Sequence, residues 1–184
     1  EKELSTLYEL KKINNTISKI KSFYEEYSER IRILNNLGTD ISSNKNLYSF
    51  AAEVIIDNNG EISSYDKSII KTEKDKINFK QFTENIIEEG IIISTKKDIK
   101  TKKYNLILSK SVAGNILSHI ADMLSETNIR LHTSCLENKI NQQIFNKKIN
   151  IIEEPTNKNY PGYRLFDNEG TETKEKSIVK DGKL

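Results

Sequence analysis

A chain of 184 residues with 35% hydrophobic and 30% charged side chains can bury a sizeable core, as one large domain or two small ones, under a generous polar surface. Its 29 basic residues nearly balance 27 acidic ones, so a formal net charge of +2 gives no electrostatic case for nucleic-acid binding. The single cysteine, Cys135, excludes an internal disulfide and fits a reducing cytoplasm, and no run approaches the roughly 18 apolar residues of a membrane span. No signal peptide is visible, and the sequence starts at Glu1 and stops in the turn-like Asp181-Gly182-Lys183-Leu184, so a fragment of a longer polypeptide is expected.

Residues 3–28 carry Leu4, Leu7, Tyr8, Ile13, Ile17, Ile20, Phe23, Tyr24 and Tyr27 at helical spacing and predict one amphipathic helix with a core-facing stripe. Alternation from Arg30 to Asn36 predicts a strand ended by Leu37-Gly38-Thr39-Asp40, and Tyr48 to Ile56 predicts another. Asp57-Asn58-Asn59-Gly60 is a hairpin signal, because Asn and Gly tolerate the positive φ of a tight turn, with Ile62 to Lys67 returning. Such a meander needs a helix over one face, here expected from the long N-terminal one. A second helix is predicted from Asn78 to about Ile93, with Phe79, Phe82, Ile86 and Ile87 inward and Gly90 loosening its end. The run Lys96 to Lys103 is the most basic segment; without interleaved aromatics it reads as a solvated linker.

Tyr104 to Leu124, YNLILSKSVAGNILSHIADML, opens with the apolar run Leu106-Ile107-Leu108, expected as a strand, and turns helical. Val112, Ile116, Ile120 and Leu124 predict a buried stripe, and either Ser109 or Ser111 can cap the first turn. Asn128 to Leu136 reads as a short strand or an irregular bridge, and Asn138 to Lys148 as a polar loop. Ile149 to Glu153 predicts a strand halted by Pro155, and further strands are expected around Lys174 to Lys180 and from Lys183, flanking the Asp181-Gly182 turn. Near the end stand two linked phrases, Gly162-Tyr163-Arg164-Leu165-Phe166-Asp167-Asn168-Glu169-Gly170-Thr171 and Ile178-Val179-Lys180-Asp181-Gly182.

The central stretch and these two phrases together resemble the TldD/PmbA family of zinc-dependent proteases, also known as modulators of DNA gyrase. The resemblance runs from about residue 30 to 184 and is clearest from 104 onward. It implies an HExxxH motif on the helix after residue 109, whose histidines hold zinc and whose Glu is the general base. The matching residues here are Ser118 and Met123 at the ligand positions and His119 at the base position, with Ile149 nearest the third ligand, a Cys in active members. The pattern is therefore similar to the metal-free PmbA (TldE) branch, whose zinc sits in a TldD-like partner. The fold it implies, with the periodicity, is α+β: an N-terminal antiparallel sheet covered by helices within 1–103, then a strand–helix unit leading into a truncated, mainly β C-terminal domain within 104–184.

Among rival sites, Asp167 and Glu169 could be an acid–base pair, but their place beside Gly170 in the family turn Phe166-Asp167-Asn168-Glu169-Gly170 favours carboxylates that cap backbone N–H groups. Ser118 and His119 are adjacent, so a helix turns them about 100° apart and they form no compact dyad. His132 and Cys135, with or without His119, complete no recognised metal spacing. The resemblance implies a non-catalytic subunit of a cytoplasmic metalloprotease complex acting on flexible peptides, with no cofactor in this chain and zinc only in the partner. The alternative is a regulatory protein that modulates DNA gyrase, or a gyrase-directed toxin or antitoxin, without proteolysis.

Overall fold

The computed structural model describes Ser5 and residues 15–184, and these form two compact units. The first comprises the described residues of Glu1–Asp98 together with Glu154–Lys174; the second comprises Ile99–Glu153 and Glu175–Leu184. Elements of both types are present, so the fold is mixed α+β.

The first unit is a three-stranded antiparallel meander, β1 (Ile17–Leu34), β2 (Asp40–Asn58) and β3 (Glu61–Lys71), in the order β1-β2-β3. Two turns set its registers. At the first, the Asn35 side-chain oxygen accepts from the Leu37 and Thr39 N–H groups, both at 3.0 Å, and Gly38 takes φ +95°. At the second, Asn59 and Gly60 take φ +56° and +92°, the paired positive angles of a two-residue hairpin turn, while Asp57 accepts from the Gly60 N–H at 2.8 Å.

The helix predicted over residues 3–28 is corrected here: from Ile17 onward this segment is β1. (Of its earlier part, residues 3–14, all but Ser5 lie outside the described residues.) The reason is cross-strand pairing, which places Ile20 opposite Val54, Tyr24 opposite Phe50 and Tyr27 opposite Leu47. Aromatic and β-branched side chains suit a pleated sheet. The register shift between Ile17 and Lys19 accounts for the three-residue spacing of Ile17 and Ile20, and beyond it apolar residues occupy both faces, Ile20 and Tyr24 on one and Phe23 and Tyr27 on the other.

Among the described residues, the sheet is covered by α1 (Phe79–Ser94), which follows a 3-10 turn at Lys74–Lys76. The Asn78 side chain caps α1 by accepting from the Gln81 N–H at 3.0 Å. Phe82 and Ile86 on α1 bury against Ile20, Phe50, Ala52, Val54 and Ile56, and Phe50 meets the rings of Phe79 and Phe82 edge-on, each at 5.0 Å. At the rim, Glu89 accepts from the Tyr65 hydroxyl at 2.6 Å and the Lys67 ammonium at 2.7 Å. Burial and the Glu89 carboxylate push the Tyr65 phenol up to about 12, while Lys67 and Tyr65 hold Glu89 below the usual carboxylate range.

Gly90 does not loosen α1, which runs through it. A Cβ there would stand 2.8 Å from Val54 Cγ2 and 3.0 Å from Ile56 Cδ1, so the glycine sets how closely helix and sheet approach.

In the second unit, α2 (Lys110–Met123) is capped by Ser109, whose hydroxyl oxygen accepts from the Val112 N–H. The strand expected at Leu106–Leu108 is absent: the segment pairs with nothing among the described residues, and Ile107 is fully exposed. A short α3 (Glu126–Arg130), capped by Ser125, takes the start of the segment expected as a short strand or an irregular bridge, and residues 131–136 are irregular turns with no strand. β4 (Ile151–Glu153) pairs antiparallel with β5 (Lys176–Val179). Lys180 and Lys183 then bridge across Asp181 and Gly182, at φ +49° and +75°. Gly182 admits no side chain, because a Cβ would lie 2.3 Å from the Phe145 carbonyl oxygen and 2.6 Å from that of Asn146. Its own carbonyl accepts from the Ile144 and Phe145 N–H groups.

Gly90→Ala gains about 1 kcal/mol from helix propensity alone, yet overpacking against Val54 and Ile56 is expected to give a net loss of about 1–2 kcal/mol. Urea unfolding measures it.

Candidate functional site

The helix that carries the positions marked by the resemblance, α2, borders an open groove of about 610 Å³ in the second unit. Leu117, Ile120, Ala121 and Leu124 of α2 form one wall; Ile151 and Ile178 of the β4–β5 pair belong to the other. The buried stripe expected on α2 is corrected accordingly: Val112 and Ile116 are more than 40% exposed, because no described element packs over that part of the helix. At the lip, Lys176 and Glu153 pair at 3.2 Å, an exposed ion pair worth little to stability. The groove is therefore apolar, with its nearest charges already matched.

Ser118 lies on the groove wall, its hydroxyl donating to the Asn115 carbonyl at 2.8 Å. His119, one residue on, is exposed on α2. Met123, five residues from Ser118 and so about 140° away around the helix, places its sulfur 3.4 Å from the Cys135 thiol. Its carbonyl accepts from the hydroxyl of the buried Ser134. Ile149 precedes β4, with its carbonyl accepting from the Gly182 N–H at 2.9 Å. The helix thus directs Ser118 and Met123 to different surroundings.

His132, at φ +56°, sets its Nδ1 2.9 Å from both Glu137 carboxylate oxygens. Among the described residues, no three His, Cys, Asp or Glu side chains converge to hold a metal ion.

Asp167 works within its own turn. One carboxylate oxygen accepts from the Glu169 N–H at 2.9 Å and the Thr171 N–H at 2.8 Å, while Gly170 takes φ +89°. These backbone donors, Thr171 foremost, hold the carboxyl below the usual range. Glu169 contributes its backbone N–H to this turn. The turn and Tyr163 belong to the first unit, packed on the β1–β2 hairpin. Sequence reasoning missed the groove itself, which joins residues 117–125 to 151–153 and 176–178, and the buried hydroxyl of Ser134. Alternation at Ile149–Glu153 and Ile178 was the available signal for the first; nothing local signalled the second.

Comparison with known proteins finds two successive family domains in the sequence. Residues 2–91 match the profile of the PmbA/TldA metallopeptidase central domain, and residues 101–184 match that of the C-terminal domain. A metalloprotease PmbA homologue of Buchnera aphidicola is 27% identical over 151 residues, covering 82% of this chain and 34% of its own length. An uncharacterised protein of Methanocaldococcus jannaschii is 27% identical over 158 residues, covering 83% and 35%. The chain thus spans about a third of the length of the curated relatives it matches.

Among solved structures, a Thermotoga maritima protein named for modulation of a DNA gyrase superposes with a TM-score of 0.90 at 21% identity, over 100% of this chain and 43% of its own. TldE from Thermococcus kodakarensis superposes with 0.75 at 14% identity, over 100% and 42%. At these identities the likeness speaks for the fold alone.

The metal that a metallopeptidase name implies has no fitting donor set at the positions marked by the resemblance. Zinc takes imidazole, thiolate or carboxylate ligands; Ser118 offers a hydroxyl already donating to a carbonyl, Met123 a thioether against Cys135, and Ile149 an alkyl group.

Asp167→Asn is expected to lower the urea midpoint at pH 7. Because the folded carboxyl titrates below the unfolded value of about 3.9, the ionised form stabilises fully above that value and is lost as pH falls through the folded one. The gap between wild type and variant closes on acidification; a gap independent of pH down to the acid transition contradicts the turn's dependence on charge.

Proposed function

The chain belongs to the PmbA/TldD family, and from that premise we propose that it acts as a non-catalytic, PmbA/TldE-type subunit of a TldD-like metalloprotease complex. One observation carries the reading: the family's ligand positions hold Ser118, Met123 and Ile149, and its base position holds His119. Zinc, its ligands and the general base then come from a TldD-like partner. A single cysteine fits a cytoplasmic complex, and among the described residues no helix is long and apolar enough to cross a membrane.

This subunit's share of the work is assembly and the holding of substrate. The substrate is a flexible or unfolded peptide. It lies in the groove between α2 and the β4–β5 pair, its apolar side chains against Leu117 and Ile120 and its backbone along a sheet edge. Strand addition is tolerant of sequence because main-chain hydrogen bonds supply the affinity. The paired Lys176 and Glu153 at the lip impose no net charge preference.

A second reading has its own support in relatives named for modulation of DNA gyrase: a regulatory protein that binds gyrase, or a gyrase-directed toxin or antitoxin, without proteolysis. Near-neutral net charge places the weight of any such contact on protein rather than DNA.

The test is peptide hydrolysis by the protein alone and assembled with a zinc-bearing family member. The protein alone is expected to be inactive. In the complex, His119→Ala leaves kcat within about twofold, whereas loss of a true general base costs about 10²–10⁴-fold. Ala121→Arg, which fills the groove, raises KM with little change in kcat. Hydrolysis by the isolated protein, or a hundredfold fall in kcat with His119→Ala, overturns the proposal.

A further inference from the structure

We infer that Glu154–Lys174 is a docking arm, by which the C-terminal domain of the sequence is fastened without covalent linkage to the β1–β2 hairpin of the central domain. This goes beyond the proposed function and does not depend on it. The arm lies within residues 101–184, the span of the C-terminal domain profile, yet it packs as part of the first unit. It is also the connection between β4 and β5, so the two strands beside the groove are the two roots of the arm.

The arm is closed on itself before it docks. The Arg164 N–H donates to the Pro155 carbonyl at 2.6 Å, the Thr173 N–H donates to the Leu165 carbonyl at 3.0 Å, and Phe166 bridges to Glu172. Its seat is the sheet face opposite α1. Along β2 the helix side takes Phe50, Val54 and Ile56, whereas the arm meets Ile41 and Lys45, which alternation puts on the other face.

Two anchors hold it. Tyr163 is 9% exposed; its hydroxyl donates to the Asn44 carbonyl at 3.0 Å, and the Lys45 ammonium stands 5.7 Å from its ring centroid. Lys45 is itself held 3.6 Å from Glu29 across the hairpin. The second anchor is the turn at Gly170. A Cβ there would stand 3.3 Å from Ile41 Cδ1 and Thr39 Cγ2 and 3.6 Å from Ile33 Cγ2, so the turn's backbone lies against the hairpin tip. The positive φ of Gly170 adds a conformational reason for glycine to the steric one.

An arm of this kind makes the linker dispensable for keeping the halves together. Lys96 to Lys103 is exposed throughout and forms neither helix nor strand, so it can be cut without touching the arm or its seat.

The experiment replaces residues 97–102 with a protease recognition site in the otherwise intact protein, cuts it under native conditions, and measures fragment association by size-exclusion chromatography and by dissociation on dilution. Co-elution of the two fragments is expected, and separation of the cut wild-type protein in native buffer overturns the inference. Tyr163→Phe, which removes only the hydroxyl donor, is expected to weaken association about fivefold. Gly170→Val is expected to weaken it at least about tenfold, through strain and contact with Ile41. Should Gly170→Val fail to fold, Tyr163→Phe carries the test. Cut variants that hold together as tightly as the cut wild type place the fastening elsewhere and overturn it.

Discussion

β2 is the constraint on which the first unit depends. Its two edges pair with β1 and β3, its one face takes α1 through Phe50, Val54 and Ile56, and its other face meets the arm through Ile41 and Lys45. Because side chains alternate along a strand, a slip of one residue would exchange these faces, presenting Ile55 to the helix and Val54 to the opposite side. The turns at Asn35–Thr39 and Asn59–Gly60 prevent that slip by fixing where each neighbour begins. The Gly90 approach to Val54 has meaning only within this register.

The second unit is organised differently. Its two strands are short, and much of its backbone is ordered by turns converging on Gly182, whose N–H and carbonyl join the Ile149, Ile144 and Phe145 backbones. No side chain fits there. This frame holds β4 and β5 beside α2 and leaves the apolar groove between them. The same helix positions that serve zinc in the resemblance here serve packing and helix geometry: Ser118 donates back to its own helix, and Met123 turns to Cys135. The groove wall beside Ser118 is apolar, formed by Leu117, Ile120, Ala121 and Leu124.

Much of this was legible in the sequence, for local reasons. Asn58-Asn59-Gly60 and Asp181-Gly182 declare turns because few other residues accept positive φ, and Asn78 and Ser109 declare helix starts through their side-chain acceptors. The family was legible through the linked phrases at Phe166–Gly170 and Ile178–Gly182. What misled was β1. Ile17, Ile20, Tyr24 and Tyr27 fit a helical wheel, and only their partners thirty or so residues onward, Val54 and Phe50, make them a strand. The same holds for Gly90, whose role lies in the strand it faces, and for Tyr163, whose hydrogen-bond partner is 119 residues away. Non-local pairing of this sort leaves no periodic trace in one sequence.

The central claim is that this chain brings no metal-binding chemistry of its own to a metallopeptidase family. The most direct measurement is native mass spectrometry of the protein alone and assembled with a zinc-bearing relative. The account predicts no tightly held zinc on the lone protein and one zinc per assembled pair, carried by the partner. Stoichiometric zinc on the lone protein, surviving dialysis and lost when Ser118, His119 or Met123 is replaced, would contradict it.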